Sequence, residues 1–181
     1  MRLFTAIGIY EPLKDGIEAM RRGLPGARWT PREQLHLSLR FIGEVSQGVF
    51  LEIRDALQGL RQPTFPLVLT GVGTFSGPGR SRVLWIGAEH SEPLLHLRSA
   101  LDRILSSLGL RLERSKFHPH VTIARAKKTS PDRLHSYLEE YGDFHSEPFL
   151  VEEFMLFSSK LRPEGALHSL EEVYPLVKTD N

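Results

Sequence analysis

Two short stretches, Leu35-His36-Leu37-Ser38-Leu39 and Pro119-His120-Val121-Thr122-Ile123, constrain this chain more than anything else in it. Each carries a histidine, a hydroxyl residue two positions on, and aliphatic residues between and after them. Side chains along a strand alternate between faces, so His36 and Ser38 share one face while Leu35, Leu37 and Leu39 share the other. His120 and Thr122 divide from Val121 and Ile123 in the same way. One copy alone would mean little, since a lone histidine on a strand is most often structural or merely exposed. Two copies nearly half a chain apart suit a fold in which equivalent strands meet, each buried by aliphatics on one side and offering an imidazole and a hydroxyl to one cleft.

The remaining patterns supply the frame. Residues 3–10 read as a first strand. Pro12 suits a first helical turn, and Leu13, Ile17 and Met20 form the inner stripe of a helix that Gly23 and Pro25-Gly26 end. Thr30-Pro31-Arg32-Glu33 has the cap-and-acid pattern of a short helical turn, delivering the chain into a motif strand over 35–41 that Gly43 ends. Ser46 caps a helix with Val49, Phe50, Ile53, Leu57 and Leu60 on one side. Strands follow at 67–72 and 82–88, joined through a turn-rich loop over 75–80.

Ser91 caps the next helix, with Leu94, Leu97, Leu101, Ile104 and Leu108 inward, and Gly109 stops it. A short strand over 110–113 and a loop precede the second motif strand, 120–124. Ser130-Pro131 opens a helix whose Leu134, Tyr137 and Leu138 face inward. Residues 149–157 form a strand disrupted at Glu152-Glu153, 170–177 a final strand, and 178–181 a frayed end. Strands outnumber helices and adjoin one another in sequence. That pattern predicts an α+β fold, two antiparallel sheet lobes around a concave middle with helices outside. No glycine-rich nucleotide-cofactor loop is present.

Two facing imidazoles divide acid and base work, one taking a proton from an attacking hydroxyl or water while the other protonates a departing oxygen. The Ser38 and Thr122 hydroxyls can donate to nonbridging phosphate oxygens, where charge grows in a pentacovalent transition state. Neither role needs a metal, and the ligands that a zinc site requires do not occur at motif spacing. Cysteine is absent, which excludes disulfides, thiol catalysis and cysteine ligation. A formal charge of +1 argues against a protein that coats long nucleic acid electrostatically. Locally, Arg111, Arg114, Lys116, Arg125, Lys127 and Lys128 surround the second motif against Glu113 alone, a setting that would attract a phosphate. The N-terminal apolar run is too short for a signal peptide, and no apolar run of about 20 residues could cross a bilayer. The expectation is a cytoplasmic monomer.

The chain resembles the two-histidine phosphoesterases, close to the bacterial and archaeal RNA 2',3'-cyclic phosphodiesterases also known as 2'-5' RNA ligases. The resemblance rests on His36-Leu37-Ser38-Leu39 and His120-Val121-Thr122-Ile123, in the family's His-x-Thr/Ser-x form. Arg2-Leu3-Phe4-Thr5-Ala6-Ile7, Arg40-Phe41-Ile42-Gly43-Glu44-Val45 and His118-Pro119-His120 with Arg125 support it. Ser38 departs from the more usual threonine, keeping the hydroxyl without the methyl that restricts its rotamer.

The resemblance implies a single bilobal domain over 1–181, its lobes related by a pseudo-twofold, with one motif from each lobe in a central cleft. The implied reaction is hydrolysis of an RNA terminal 2',3'-cyclic phosphate to a 2'-phosphate, without cofactor. His36 would be the general acid on the departing 3' oxygen and His120 the base activating water. Ser38 and Thr122 would hold the phosphate. Arg125 would reinforce it, though strand parity turns it away. Related proteins also join or cleave 2'-5' linkages without ATP. Phe41, Phe75, Phe117 and Trp85 are candidates for the cleft or for stacking on a base. The other histidines, at 90, 96, 135, 145 and 168, read as surface or capping residues.

The partner is then an RNA 3' end or a small nucleotide carrying a cyclic phosphate. The alternatives are a phosphodiesterase acting on a small cyclic nucleotide, ADP-ribose cyclic phosphate or a 2'-5' oligonucleotide, and an RNA-end-binding module without turnover.

Overall fold

The structure, a computed structural model, describes residues 1–77, 81–113, 116–127, 129–162 and 165–178. Residues 78–80 of the turn-rich loop, Arg114, Lys128 and the last three residues, all within stretches read above, lie outside these. The elements run β1 (Arg2–Gly8), α1 (Glu11–Ala19), β2 (Ala27–Trp29), a 3-10 turn (Arg32–Gln34), β3 (His36–Glu44), α2 (Gln47–Leu57), β4 (Phe65–Leu67), β5 (Leu69–Ser76) and β6 (Arg82–Ala88). They continue with α3 (Glu92–Ser107), β7 (His120–Ala126), α4 (Pro131–Tyr141), β8 (Phe149–Val151), β9 (Glu153–Arg162) and β10 (Gly165–Pro175). The class is α+β, with antiparallel pairing throughout the named strands.

The main sheet is continuous where two separate sheets were expected. Its order is β10-β9-β1-β3-β7-β6-β5, with β2 also on β7, while β4 and β8 pair in a small second sheet. The two motif strands are direct neighbours, joined by the single pair Leu37↔Val121. Beyond that pair they part, and β2 takes over the freed edge of β7 through Ala27↔Ala126, Arg28↔Arg125 and Trp29↔Ala124.

Leu37, Leu39, Val121 and Ile123 are buried in the main core with Ile53 and Leu57 of α2 and Leu94, Leu97, Leu101 and Leu105 of α3. Leu105 joins the inner stripe as a buried residue, and the expected Ile104 and Leu108 pack against the core partly buried. Ser46, Ser91 and Ser130 accept from the backbone N–H groups of Val49, Leu94 and Arg133 at 3.3, 3.3 and 3.4 Å, the capping that their position before each helix requires.

Other boundaries moved for local reasons. Gly43 does not end β3; it takes φ 97° within the strand, a conformation that a residue without a Cβ adopts at little cost. The region read as one strand over 67–72 divides, because Pro66 lacks a ladder donor and sits in the two-stranded β4–β8 sheet, while β5 runs on through Phe75 to Ser76. Residues 110–113 form no strand: Leu110 and Leu112 pack on the core, and the Glu113 carbonyl accepts from Arg40 Nη1 at 2.8 Å. β10 begins at Gly165 and so brings His168 into the sheet.

Candidate active site

The pair Leu37↔Val121 sets the two motifs side by side on antiparallel strands, so that an extension of its register by one residue each way would put each imidazole toward the other motif's hydroxyl. With Leu37 and Val121 buried in the core, strand alternation turns all four toward the opposite face. The rings are held alike. His36 Nδ1–H donates to the Gln34 carbonyl at 2.7 Å, and His120 Nδ1–H to the His118 carbonyl at 2.6 Å. Each bond reaches two residues back and fixes one tautomer, leaving Nε2 as the basic nitrogen.

Packing fixes the ring planes. Phe4, Phe157 and His168 lie 5.1, 6.0 and 5.3 Å from the His36 ring centre. Phe75 lies edge-on to His120 at 5.0 Å, and Trp85 lies 6.3 Å away. Trp85 fits only because Gly73 has no side chain, since a Cβ there would meet the indole at 2.3 Å. Burial pushes His36 down to about 4, its bond to Gln34 opposing and the nearby His168 and His120 adding to the fall. Burial also lowers His120, with the His118 charge contributing. Burial thus works against the charged form of both rings.

Two β-bulges decide what else faces the cleft. On β7 the pairing with β6 shifts between Leu84↔Ala124 and Trp85↔Thr122, leaving Ile123 as the extra residue. On β3 the pairing with β1 shifts between Thr5↔Arg40 and Ala6↔Ser38, leaving Leu39 extra. An extra residue inverts the alternation. Ile123 and Ala124 are consequently both buried, as are Leu39 and Arg40, and the side chains returning to the cleft are Arg125 and Phe41. The parity argument against Arg125 is corrected by this bulge. Behind β3, Arg40 Nε donates to Asp102 Oδ1 at 2.5 Å, and Arg98, which also pairs with Asp102 at 3.1 Å, donates to the Leu39 carbonyl. These bonds pin the bulge from the helix side.

A cleft of about 780 Å³ is lined by His36, Ser38, Phe41, Thr122 and Arg125 with Arg2, Phe4, Arg28 and His168. His120 is not among its lining residues, and Phe75 packs edge-on against that ring. Phe117 is not a cleft residue: it packs on the core with the Arg98 guanidinium 5.0 Å from its ring centre. His168 is the residue that strand reading missed. It has no hydroxyl at the next even position, so nothing in the motif pattern marked it, and its buried Nδ1 finds no hydrogen-bond partner among the described residues. Among those residues no three His, Asp or Glu side chains converge as metal ligands would, and no helix is long and apolar enough to cross a membrane.

Comparison with known proteins agrees with this arrangement. The family model for the 2'-5' RNA ligase superfamily matches residues 9–161. An RNA 2',3'-cyclic phosphodiesterase of Aeropyrum pernix is 36% identical over 164 residues, covering 90% of this chain and 92% of that protein. One of Thermotoga maritima is 35% identical over 179 residues, covering 94% and 92%. Among solved structures, TT0787 of Thermus thermophilus superposes with a TM-score of 0.79 at 26% identity over 97% of both chains. Apo E. coli LigT does so with a TM-score of 0.78 at 26% identity over 97% and 96%. The chain belongs to the 2'-5' RNA ligase superfamily, within the two-histidine phosphoesterases.

Proposed function

We propose that this protein hydrolyses the 2',3'-cyclic phosphate at an RNA terminus to a 2'-phosphate, by acid and base catalysis from two histidines without a metal. The observation that carries the reading is the direct pairing of the two motif strands at Leu37↔Val121, with both Nδ1 atoms tied back so that both Nε2 atoms are available. Phosphorus sits between the strands. His120 Nε2 takes the proton of the attacking water, His36 Nε2 delivers a proton to the departing 3' oxygen, and the Ser38 and Thr122 hydroxyls donate to the nonbridging oxygens. Arg125 adds positive charge on the same face.

The relatives named above are RNA 2',3'-cyclic phosphodiesterases, which supports the choice of reaction. The unit is the whole chain, 1–181, read as one bilobal domain. Strands β9-β1-β3 and β5-β6-β7 are its two halves, related by a pseudo-twofold through Leu37 and Val121. The matched Nδ1 bonds, and the bulge one residue after each hydroxyl, support that relation. The same displacement of the 3' oxygen, with a ribose 5' hydroxyl attacking in place of water, accounts for 2'-5' ligation, and its reverse accounts for cleavage of the 2'-5' linkage.

The test is incubation of metal-free protein with an RNA bearing a 2',3'-cyclic end, followed by identification of the oxygen that keeps the phosphate. A 2'-phosphate is expected; a 3'-phosphate would reverse the leaving group, and no product with tight binding would favour a binding module. A small nucleotide is the second reading, favoured by the E. coli LigT structures with 3'-AMP, ATP and NADP+.

A further inference from the structure

We infer that His168 is a further catalytic residue of this site, a neutral imidazole whose Nε2–H donates a hydrogen bond to the departing 3' oxygen while His36 protonates it. This rests on the reaction proposed above and deepens it.

His168 belongs to β10, the outermost strand at one edge of the main sheet. Its ring nevertheless stands perpendicular to that of His36 with the centres 5.3 Å apart, and Phe4 packs against it at 4.9 Å. It lines the same cleft as His36, Ser38 and Thr122. Two donors at hydrogen-bond distance from one atom stand up to roughly 6 Å apart, so rings this close can serve a single oxygen. With His36 as the acid, that oxygen is the departing one.

The two nitrogens of the His168 ring differ. Nδ1 is sealed from solvent and finds no hydrogen-bond partner among the described residues, whereas Nε2 is not buried in this way. A charged ring would carry N–H at both positions and strand a donor, with its charge, in the interior. The less costly state leaves the lone pair on Nδ1 and the proton on Nε2, and burial holds the ring below the usual imidazole range. Phenylalanine would fill this position without an orphaned nitrogen, so packing alone gives no reason for a histidine. What the histidine adds is one N–H donor at the cleft.

A neutral donor suits the departing oxygen. As the bond from phosphorus to the 3' oxygen breaks, its electron pair stays on that oxygen, and negative charge grows there until the proton of His36 arrives. A fixed N–H dipole stabilises this charge more than it stabilises the ester oxygen of the bound substrate. A second cation in its place would oppose the charging of His36, which a charge on His168 disfavours. His168 keeps its proton throughout: the attacking water gives its proton to His120, and the departing oxygen takes the proton of His36.

NMR of the empty protein labelled with 15N-histidine, with the His168 ring assigned through its own backbone, is expected to show the neutral Nε2–H tautomer. Kinetics then use two variants. His168→Phe keeps a ring and removes both nitrogens, and His168→Gln keeps an N–H donor near the place of Nε2. On an RNA end with a 2',3'-cyclic phosphate, His168→Phe is expected to lower kcat by about tenfold or more with KM nearly unchanged, and His168→Gln to recover most of that loss. On the same end with sulfur in place of the departing 3' oxygen, whose thiolate leaves with little need of a donor, parent and His168→Phe should turn over at nearly the same rate.

An Nδ1–H tautomer in the parent would overturn the role of His168. So would parental kcat in His168→Phe, equal losses on the oxygen and sulfur substrates, or a Gln variant no better than the Phe variant. A parent that opens neither substrate would overturn the reaction itself, and the role of His168 with it.

Discussion

His36 cannot act as an acid at neutral pH unless something restores its proton, and the charge of a bound phosphate is expected to do so. Burial takes the ring from 6.5 to about 4, a difference of about 3 kcal/mol against the charged form. A phosphate oxygen about 4 Å away contributes roughly 4 kcal/mol per unit charge at an effective dielectric near 20, enough to cancel that deficit. Sulfate, a tetrahedral anion that does not titrate in this range, separates the effect from turnover. Histidine ring NMR of the parent, with the His36 resonance assigned by its loss in His36→Gln, should place His36 near 4 without sulfate and raise it by about three pH units at saturation.

The sign also fixes a stability effect. Because the folded value lies below the unfolded one, the empty fold loses stability as pH falls from about 6.5 through 4, and sulfate should protect it most at the acid end. A His36 ring that titrates near 6.5 without sulfate, or one that saturating sulfate leaves unmoved, would refute the reasoning.

Other outcomes follow from the same contacts. His36→Ala and His120→Ala should each lower kcat by about 10²-fold or more with thermal unfolding little changed, while Ser38→Ala and Thr122→Ala cost less than either; single-turnover kinetics and a melting curve check both statements. Asp102→Ala leaves Arg40 and Arg98 without their shared acid. It should cost about 1–3 kcal/mol in urea unfolding, discounted because Asp102 is a third exposed, and it should lower activity as well by freeing the bulge at Leu39. Gly73→Ala drives a Cβ into Trp85, so about 1–3 kcal/mol of stability is expected to go, and near-UV circular dichroism should report the displaced indole. Activity should persist after dialysis against chelator, and loss that zinc alone restores would contradict a reaction run by imidazoles.

Much of the site was legible because it depends on local alternation alone. His36, Ser38, His120 and Thr122 each follow from a period of two over three residues, too short for a bulge to intervene, and the serine caps follow from their position just before an apolar stripe. What the sequence could not give was pairing. The three residues Ala27 to Trp29 carry no strand signal of their own; they extend because β7 has an edge to fill once β3 departs. His168 enters the site through a strand that begins earlier than its apolar run.

The bulges make the same point where it matters most for function. Parity counted from Thr122 sends Arg125 to the core, and parity counted from Ser38 sends Phe41 there too. Yet Arg40, one residue before Phe41, is the side chain that is buried, tied to Asp102 on the helix side. Turning Arg40 inward and Phe41 outward takes one extra residue in β3, and the same device in β7 buries Ala124 and releases Arg125. The two motif strands therefore use one backbone irregularity to opposite chemical ends, an aromatic ring at one position and a cation at the other. Such an asymmetry is what a cleft needs if it is to receive a nucleotide in a single orientation, with an aromatic face on the β3 side and a cation on the β7 side.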